Sequence, residues 1–236
     1  KEQDMQLSLR LSAIAEMVTE GNRLVDVGCD HGYLPVYLIF EKKIPQAIAA
    51  DVGKGPLSRA REHIHQYGLD NYIETRLSDG LKEIGKEEGD TLVIAGMGGP
   101  LMEKILTEGE ETRKGFRELI LQPQSDIPHV RKFLFENGYH IVNEEMVLEE
   151  GKFYPLMKAV PGKADREWTE EELEFGKFLL EKCHPVLRQY LERELRIRKE
   201  ILERLKDAPG ASAGQRRQEV EEEKRKILTA LRRYEG

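Results

Sequence analysis

The residues best suited to chemistry lie in four short loops that are rich in glycine and acid. Residues 26–32 have the sequence DVGCDHG, which is an acid-x-Gly-x-x-x-Gly pattern. Glycine allows the backbone to turn sharply and to approach a ligand closely. The pattern is neither the Gly-x-Gly-x-x-Gly of dinucleotide folds nor the phosphate loop of nucleotide triphosphatases, so it disfavours pyrophosphate binding.

Three later loops carry similar residues. Asp51 follows a short apolar run, where a carboxylate can accept hydrogen bonds from both hydroxyls of a ribose. Asp79, between Ser78 and Gly80, is placed to receive the exocyclic amine of a purine. The fourth loop, residues 95–99, reads AGMGG. One such loop alone is commonly a tight turn or a helix cap, but four in succession indicate a binding site.

These loops need elements that bring them together, and the first 160 residues predict alternating strands and helices. Apolar runs predict buried strands at residues 24–27, 47–51, 73–77, 91–95 and 118–121. Helices are predicted at residues 7–18, 33–42, 55–67, 101–106 and 127–136. Such alternation implies a parallel sheet covered on both faces. Ligands bind beyond the carboxyl ends of its strands, which is where the four loops fall.

The last two strands follow a different rule. Residues 139–148 and 153–160 are joined only by residues 149–152. A connection of this length permits a hairpin and excludes a parallel crossover. We therefore expect an α/β fold with a seven-stranded sheet that is mostly parallel and has an antiparallel last strand.

Composition limits the classes of function. Of 236 residues, 39% are hydrophobic and 34% are charged, which allows a core without disulfides. No run approaches the roughly 18 apolar residues of a membrane span, and residues 1–4, KEQD, lack the apolar stretch of a signal peptide. Cys29 and Cys183 are isolated and fit a reducing cytoplasm. We expect a cytoplasmic protein without membrane contact or bound metal; its oligomeric state stays open, and a monomer is compatible.

A change in charge density divides the chain near Pro161 and Gly162. Residues 163–236 hold 18 basic and 17 acidic side chains, a denser distribution of charge than in the rest of the chain. This shift predicts one domain at residues 1–162 and a second at residues 163–236.

The second domain has the pattern of a helical hairpin. Apolar residues recur at helical spacing over 168–205, where Pro185 forces a break or kink, and residues 207–214 predict a turn. The next apolar stripe consists of Val220, Ile227, Leu231 and Tyr234. The pair predicts an antiparallel coiled coil. Its arginines could follow a phosphate backbone, but interleaved charges usually form a solvated surface, and a net charge of −7 is opposite to the usual nucleic-acid footprint.

Residues 1–160 resemble a class I S-adenosylmethionine-dependent methyltransferase with a Rossmann-like sheet. Five segments are similar to the bacterial tRNA (adenine-N1)-methyltransferase family, often called TrmK. They are DVGCDHGYLP at 26–35, ADV at 50–52, LSDGL at 77–81, AGMGG at 95–99 and QPQ at 122–124. The resemblance implies methyl transfer from S-adenosylmethionine to N1 of the adenine at position 22 of tRNA. It also implies that the C-terminal coiled coil is an appendage that contacts tRNA.

The resemblance further implies a role for each motif. The first loop would hold the methionine part of the cofactor, with Asp26 or Asp30 facing its ammonium, Asp51 would bind the ribose, and residues 78–80 the adenine. Residues 95–99 would form the floor of the pocket in which the methyl donor and the target base meet. The expected cofactor-binding residues are Asp26, Gly28, Cys29, Asp30, His31, Gly32, Asp51, Val52, Ser78, Asp79, Gly80, Ala95, Gly96, Met97 and Gly98.

Methyl transfer from a sulfonium to a nitrogen needs alignment and desolvation more than a strong nucleophile. Because methylation of N1 makes the adenine ring cationic, a nearby carboxylate or carbonyl oxygen would stabilise the developing charge. Asp30 is the first candidate and Asp26 the second, with the carbonyls of Gly96 and Met97 as alternatives. Met97 is also a candidate wall of the target pocket. Candidates for stacking on the base are Tyr33, Tyr154 and Phe153.

Two other interpretations stay open. In one, the same cofactor serves a different acceptor, which is another RNA, a protein or a small metabolite. In the other, the chain is a non-catalytic cofactor-binding scaffold whose helical hairpin docks a partner subunit. Cofactor binding without methylation of any RNA would favour the scaffold, whereas labelled methyl transfer to tRNA would favour the enzyme.

Overall fold

The structure, a computed structural model, describes residues 5–236. Residues 1–4, on which the expectation about a signal peptide depends, lie outside the described part. Contacts within the chain separate two compact units, of which the first ends at Arg166 and the second comprises Glu167–Gly236. The domain division at residues 162 and 163 stays a prediction.

The first unit contains a seven-stranded sheet. Its strands are β1 (Leu24–Val27), β2 (Ala47–Asp51), β3 (Ile73–Leu77), β4 (Thr91–Met97), β5 (Glu118–Pro123), β6 (Tyr139–Glu149) and β7 (Lys152–Pro161). They lie in the order β3-β2-β1-β4-β5-β7-β6. The first five pair in parallel, and β7 is antiparallel to both β5 and β6. The predicted mostly parallel sheet with an antiparallel last strand is confirmed, although β7 lies inside the sheet and β6 forms its edge.

Helices follow most strands of this unit. They are α1 (Leu9–Met17), α2 (Tyr33–Phe40), α3 (Lys54–Gln66), α4 (Gly99–Glu108), α5 (Glu110–Arg113) and α6 (Ile127–Glu136). The helix α4 is longer than predicted, because Pro100 is accommodated in its first turn, where its missing N–H costs no hydrogen bond. The short helix α5 has no counterpart in the prediction.

Burial accounts for the continuous apolar character of the central strands. All residues of β1 and β5 are buried, and β4 is buried as far as Ile94. Strands inside a parallel sheet are covered on both faces, which explains why these segments do not alternate apolar and polar residues. The chain therefore leaves the core at the carboxyl ends of β1, β2 and β4, where the glycine-rich loops begin.

The β6–β7 hairpin closes with a two-residue turn. Both Glu150 and Gly151 have positive φ, at 50° and 76°. Two successive left-handed residues are the signature of the turn type that matches the twist of paired strands. The hairpin predicted from the short connection is therefore present.

The second unit is helical. It comprises α7 (Glu170–Phe175), α8 (Lys177–Glu181), α9 (Pro185–Leu205), α10 (Ala211–Leu231) and a 3-10 turn at Arg232–Tyr234. The apolar stripe over 168–205 forms three helices, with a break at Pro185, as predicted, and a further one at Gly176 that the pattern does not indicate. Gly176, with φ of 96°, separates α7 from α8, and Pro185 is the first residue of α9.

The two long helices of this unit run antiparallel. Arg198 of α9 pairs with Glu223 of α10, and Arg217 donates to the carbonyl of Leu205. The turn between them ends at Gly210, so the predicted turn at 207–214 is too long because Ala211 and the residues after it already continue as helix. Supercoiling of the pair stays a prediction. Within residues 5–236, no helix combines the length and the apolar character required to cross a bilayer.

Candidate active site

The loop after β1 is built from left-handed backbone. Gly28, Asp30 and Gly32 have φ of 79°, 48° and 70°. The backbone N–H groups of Gly28 and Cys29 donate to the carbonyl of Ala50 at 2.9 and 3.0 Å, which ties this loop to β2. Asp30 is the single non-glycine residue among the three left-handed positions, and the strain of that conformation is consistent with a functional loop.

Asp51 joins the first two loops. Its Oδ2 accepts a hydrogen bond from the backbone N–H of Asp30 at 3.3 Å, and its Oδ1 accepts one from Gly53 at 2.9 Å. A carboxylate has about four acceptor positions, so Asp51 keeps capacity for a ligand hydroxyl. The backbone carbonyl of the same residue accepts from the N–H of Ser78 at 2.9 Å, which brings the third loop alongside.

The third loop uses most of its polar groups internally. The hydroxyl of Ser78 is buried, donates to the carbonyl of Gly80 at 2.8 Å and accepts from the N–H of Glu83 at 3.1 Å. Asp79 is exposed and pairs with Lys82 at 2.6 Å, and hydrogen bonding to Lys82 lowers the pKa of Asp79. Ser78 therefore shapes the loop, and Asp79 is the side chain that faces solvent.

The loop after β4 interrupts the sheet. The register between β4 and β5 shifts between Ala95 and Met97, and Gly96 has φ of 74°. The N–H of Gly96 donates to Oε1 of Gln122 at 3.0 Å. A bulge of this kind re-aims the backbone next to a site, and here it turns Gly96 outward at the end of the strand.

The loops after β1 and β4 border a cavity of about 470 Å³. Among the residues predicted for the site, its lining includes Asp26, Gly28, Cys29, Asp30, Ala95 and Gly96. The predicted residues outside the lining are His31, Gly32, Asp51, Val52, Ser78, Asp79, Gly80, Met97 and Gly98. The hydrogen bonds of Asp51 connect several of these to the cavity wall, so the second and third loops extend the site toward β3.

Asp26 is the buried charge of the cavity. Only 5% of the residue is exposed. Burial raises the pKa of its carboxyl to about 7, the positive charge of Arg10 opposes this rise, and Asp51 adds to it. A carboxyl poised near neutrality at a cavity wall marks a functional candidate, because a cationic ligand would restore its charge.

Arg10 is a charged residue of this cavity that the sequence did not predict as part of the site. It lies in the first turn of α1, lines the cavity, and donates from Nη1 to Gln122 Oε1 at 3.3 Å. Its guanidinium lies 5.8 Å from the ring centre of Tyr154. The carboxylate of Glu149 accepts from the backbone N–H of Leu9 at 2.8 Å and so fixes the start of the helix. No motif signals Arg10; the only sign is a charged residue inside an apolar helical stretch.

Two further predicted residues have properties that restrict their chemistry. Burial raises the pKa of the Cys29 thiol, and the charge of Asp26 adds to the rise, so Cys29 is no nucleophile near neutral pH. The ring of His31 stacks on Tyr33 with centroids 5.2 Å apart. Tyr33 itself lines the cavity and is 44% exposed, whereas Tyr154 lies beneath the guanidinium of Arg10.

In residues 5–236, the acidic, histidine and cysteine side chains form no group of three or more that could hold a metal ion. The arrangement can instead hold an organic ligand with a cationic group near Asp26 and an anionic group near Arg10.

Comparisons with known proteins agree with this geometry. Residues 7–157 match a family model described as a methyltransferase domain. The chain is similar to the tRNA (adenine(22)-N(1))-methyltransferase of Bacillus subtilis (strain 168), with 34% identity over 223 residues and 93% of each chain covered.

Solved structures extend the similarity over both units. The B. subtilis m1A22 tRNA methyltransferase TrmK has a TM-score of 0.86 and 30% identity, covering 97% of this chain and 100% of that one. M. capricolum TrmK, in complex with the natural cofactor product S-adenosyl-homocysteine, has a TM-score of 0.84 and 26% identity, covering 96% and 98%. The chain therefore belongs to the TrmK family of bacterial tRNA (adenine-N1)-methyltransferases.

Proposed function

We propose that this protein transfers a methyl group from S-adenosylmethionine to N1 of the adenine at position 22 of tRNA. The observation that carries the proposal is the cavity beyond β1 and β4. Its wall combines the buried carboxyl of Asp26 with two left-handed glycines, Gly28 and Gly96. Membership of the TrmK family supports the choice of acceptor.

The cavity fits the cofactor in size and in chemistry. Its volume of about 470 Å³ is ordinary for a small-molecule site. Gly28 has φ of 79°, a conformation that favours glycine, and a Cβ added there would also displace the end of the Met97 side chain. When bound, S-adenosylmethionine supplies a methyl group already activated by the positive charge on its sulfur.

Arg10 and Asp26 are opposite charges that face one cavity without forming a contact ion pair in the described part of the chain. The amino-acid end of the cofactor carries an ammonium and a carboxylate. Asp26 would bind the ammonium, and Arg10 would bind the carboxylate. An ammonium beside Asp26 would lower the pKa of its carboxyl from about 7 and keep it ionised.

The second and third loops would hold the adenosine part. Asp51 would accept hydrogen bonds from the ribose hydroxyls with its remaining acceptor positions. Val52 and Leu77 are apolar yet 71% and 44% exposed, and a flat nucleoside would cover them. Asp79 would accept a hydrogen bond from the adenine amine while it keeps its pairing with Lys82.

Tyr33 would receive the target base. It is exposed at the cavity, and its neighbour His31 supports the ring by stacking. N1 lies on the Watson-Crick edge of adenine, so the base must be unpaired on that edge before it can react. Stacking on an aromatic side chain is a common way to hold such a base. Asp30, exposed at the same cavity, and the carbonyls after β4 would lie near the positive charge that develops.

The second unit would contribute contacts to tRNA. Its two long helices carry basic side chains along their length, and the substrate of the family is far larger than the cavity. We place the domain division at residues 162 and 163 and the protein in the cytoplasm, where tRNA is modified.

The test is to incubate the protein with S-adenosylmethionine and two unmodified tRNA transcripts that differ only in adenine or guanine at position 22. Nuclease digestion and mass spectrometry then locate the methyl group. We expect 1-methyladenosine at position 22 of the first transcript and no methylation of the second. Methyl transfer to another position, or to neither transcript, would contradict the proposal.

A further inference from the structure

Two glutamines lie at the end of β5, and the first is used inside the protein. Gln122 is buried, and its Oε1 accepts from the N–H of Gly96 at 3.0 Å and from Arg10 at 3.3 Å. Its Nε2 donates to the carbonyl of Pro123 at 3.3 Å. The amide of Gln122 is therefore occupied in fixing the loop after β4.

Gln124 differs from Gln122 in every one of these respects. Its backbone N–H donates to the carbonyl of Met97 at 2.8 Å, which fixes its main chain against the same loop. Its side chain is exposed and lines the cavity, and within residues 5–236 the side-chain amide makes no hydrogen bond. A Cβ added at Gly96 would lie 3.8 Å from Nε2 of Gln124, so the amide borders the space that this glycine leaves open.

The reaction of the proposed function, on which this inference rests, requires an acceptor beside the base. The lone pair of adenine N1 forms a bond to the methyl carbon while the carbon–sulfur bond breaks, and the electron pair of that bond stays on sulfur. The sulfonium becomes a neutral thioether, and the positive charge passes to the adenine, where N1, C6 and N6 share it. The N6 protons become more acidic, so a hydrogen bond from N6 to an oxygen strengthens as the reaction proceeds.

We propose that Oε1 of Gln124 accepts a hydrogen bond from the N6 amine of the target adenine, and thereby selects adenine and stabilises its cation. Guanine carries an acceptor oxygen at the equivalent position and a proton on N1. Its oxygen would therefore face Oε1 of Gln124, and two acceptors form no hydrogen bond. Arg10, whose Nη1 would lie 3.5 Å from the same Cβ added at Gly96, is a cation and cannot take this role. A carboxylate at the position of Gln124 would have no cation beside it before the base binds, and this would cost free energy. A neutral amide avoids this cost.

Two variants distinguish the effect of the amide oxygen of Gln124 from the effect of the size of the side chain. Gln124→Met keeps the length and removes the oxygen, while Gln124→Glu keeps an acceptor and removes the donor. In single-turnover methylation of tRNA with adenine at position 22, we expect Gln124→Met to be roughly 10- to 100-fold slower. We expect Gln124→Glu to keep at least about half of the wild-type rate, since an acceptor of the N6 protons suffices. A Glu variant as slow as the Met variant would overturn the proposal.

Removal of the N6 amine from the substrate tests the same hydrogen bond. A tRNA with purine riboside at position 22 lacks N6. On this substrate, wild type and Gln124→Met should react at rates within about twofold of each other, because neither can form the bond. The same loss on both substrates would mean that Gln124 acts through the protein structure, and would overturn the proposal.

Binding measurements distinguish this inference from the proposed function. S-adenosylhomocysteine should bind wild type and Gln124→Met with affinities within about twofold, since the amide lies on the side of the target base. If wild-type protein fails to methylate tRNA with adenine at position 22, the proposed function is wrong. If wild type methylates that tRNA and Gln124→Met is equally fast, only the role of Gln124 is wrong.

Discussion

The two units of this molecule hold their charged groups in different ways. In the first unit, several buried or partly buried polar groups find partners far away in sequence. The carboxylate of Glu149 accepts from the start of α1, 140 residues earlier, at 2.8 Å. Glu118 is buried and binds Lys158 and Thr19, each at 2.8 Å. These contacts determine where the elements around the cavity lie.

In the second unit, many charged groups pair within one turn of helix. Arg188 pairs with Glu192 four residues later, and Arg225 pairs with Glu222 three residues earlier. Exposed pairs of this kind contribute about 0–1 kcal/mol each and exchange readily with solvent or another charge.

The contrast shows which part of the molecule is preorganised. The loops and the helix start at the cavity are held by hydrogen bonds before a ligand arrives, so substitutions there should have large and specific effects. The charged surface of the helical unit can change its pairing when a polyanion binds, so effects there should be smaller and shared among residues.

Asp26 should make the largest difference to stability. Its pKa is about 7 when folded, against 3.8 as the ordinary value, so the unfolded chain binds fewer protons between about pH 4 and pH 7. The free energy of unfolding should therefore fall as the pH rises through this range. Asp26→Asn should be more stable than wild type by about 4 kcal/mol at pH 8, and the difference should vanish near pH 4.

Denaturant unfolding at several pH values measures this difference. The same variant should bind S-adenosylhomocysteine more weakly, because the ammonium loses its partner. A difference in stability that does not change with pH would show that burial of the carboxyl is not its cause.

Arg10 should have the largest effect on cofactor binding after Asp26. Arg10→Met removes the only cation that we place at the carboxylate of the ligand, and should lower the affinity for S-adenosylhomocysteine roughly 100-fold. Isothermal titration calorimetry measures this. The matched control is Arg117→Met, since the Arg117 side chain is 76% exposed and, among residues 5–236, its one ion pair is with Asp90 at 3.7 Å. Equal losses in both variants would contradict the role of Arg10.

A smaller effect is expected in the helical unit. Three basic residues of α9 make no ion pair within the described residues: Arg196, Lys199 and Arg204. Replacing all three by glutamine should weaken tRNA binding about tenfold at low salt. The salt dependence of the tRNA affinity should fall by an amount that corresponds to about one phosphate contact for each residue replaced. Binding of S-adenosylhomocysteine should not change.

A second triple variant is the control for charge alone. Its positions, also changed to glutamine, are Arg188, Arg216 and Arg225, which all pair with glutamates. Because their charges are already neutralised, the loss of tRNA affinity should be smaller. Equal loss in the two triples, measured by filter binding, would show that only total charge matters.

The sheet could be predicted because its strands and loops carry local signals. Apolar runs that end in Gly28 or Asp51 place the strand ends, and the short β6–β7 connection determines the antiparallel strand. Helix boundaries in the second unit were less accessible. Gly176 and Pro185 interrupt a continuous apolar stripe, and whether such residues kink a helix or separate two helices depends on packing.

The site could be predicted only where one segment of sequence forms it. Asp26 lies in the cavity as its motif implies. Arg10 enters the cavity because α1 is held by Glu149, a contact across 140 residues that no local pattern indicates. Gln124 belongs to the QPQ motif, but the motif does not indicate which glutamine is used inside the protein, as Gln122 is, and which one faces the cavity.

The position of the cofactor can be observed in a crystal structure of the complex with S-adenosylhomocysteine. We expect ligand density in the cavity beyond β1 and β4, with the amino group at Asp26, the carboxylate at Arg10 and the ribose at Asp51. Density at another place, or a ligand whose amino-acid end points away from Asp26 and Arg10, would contradict this expectation.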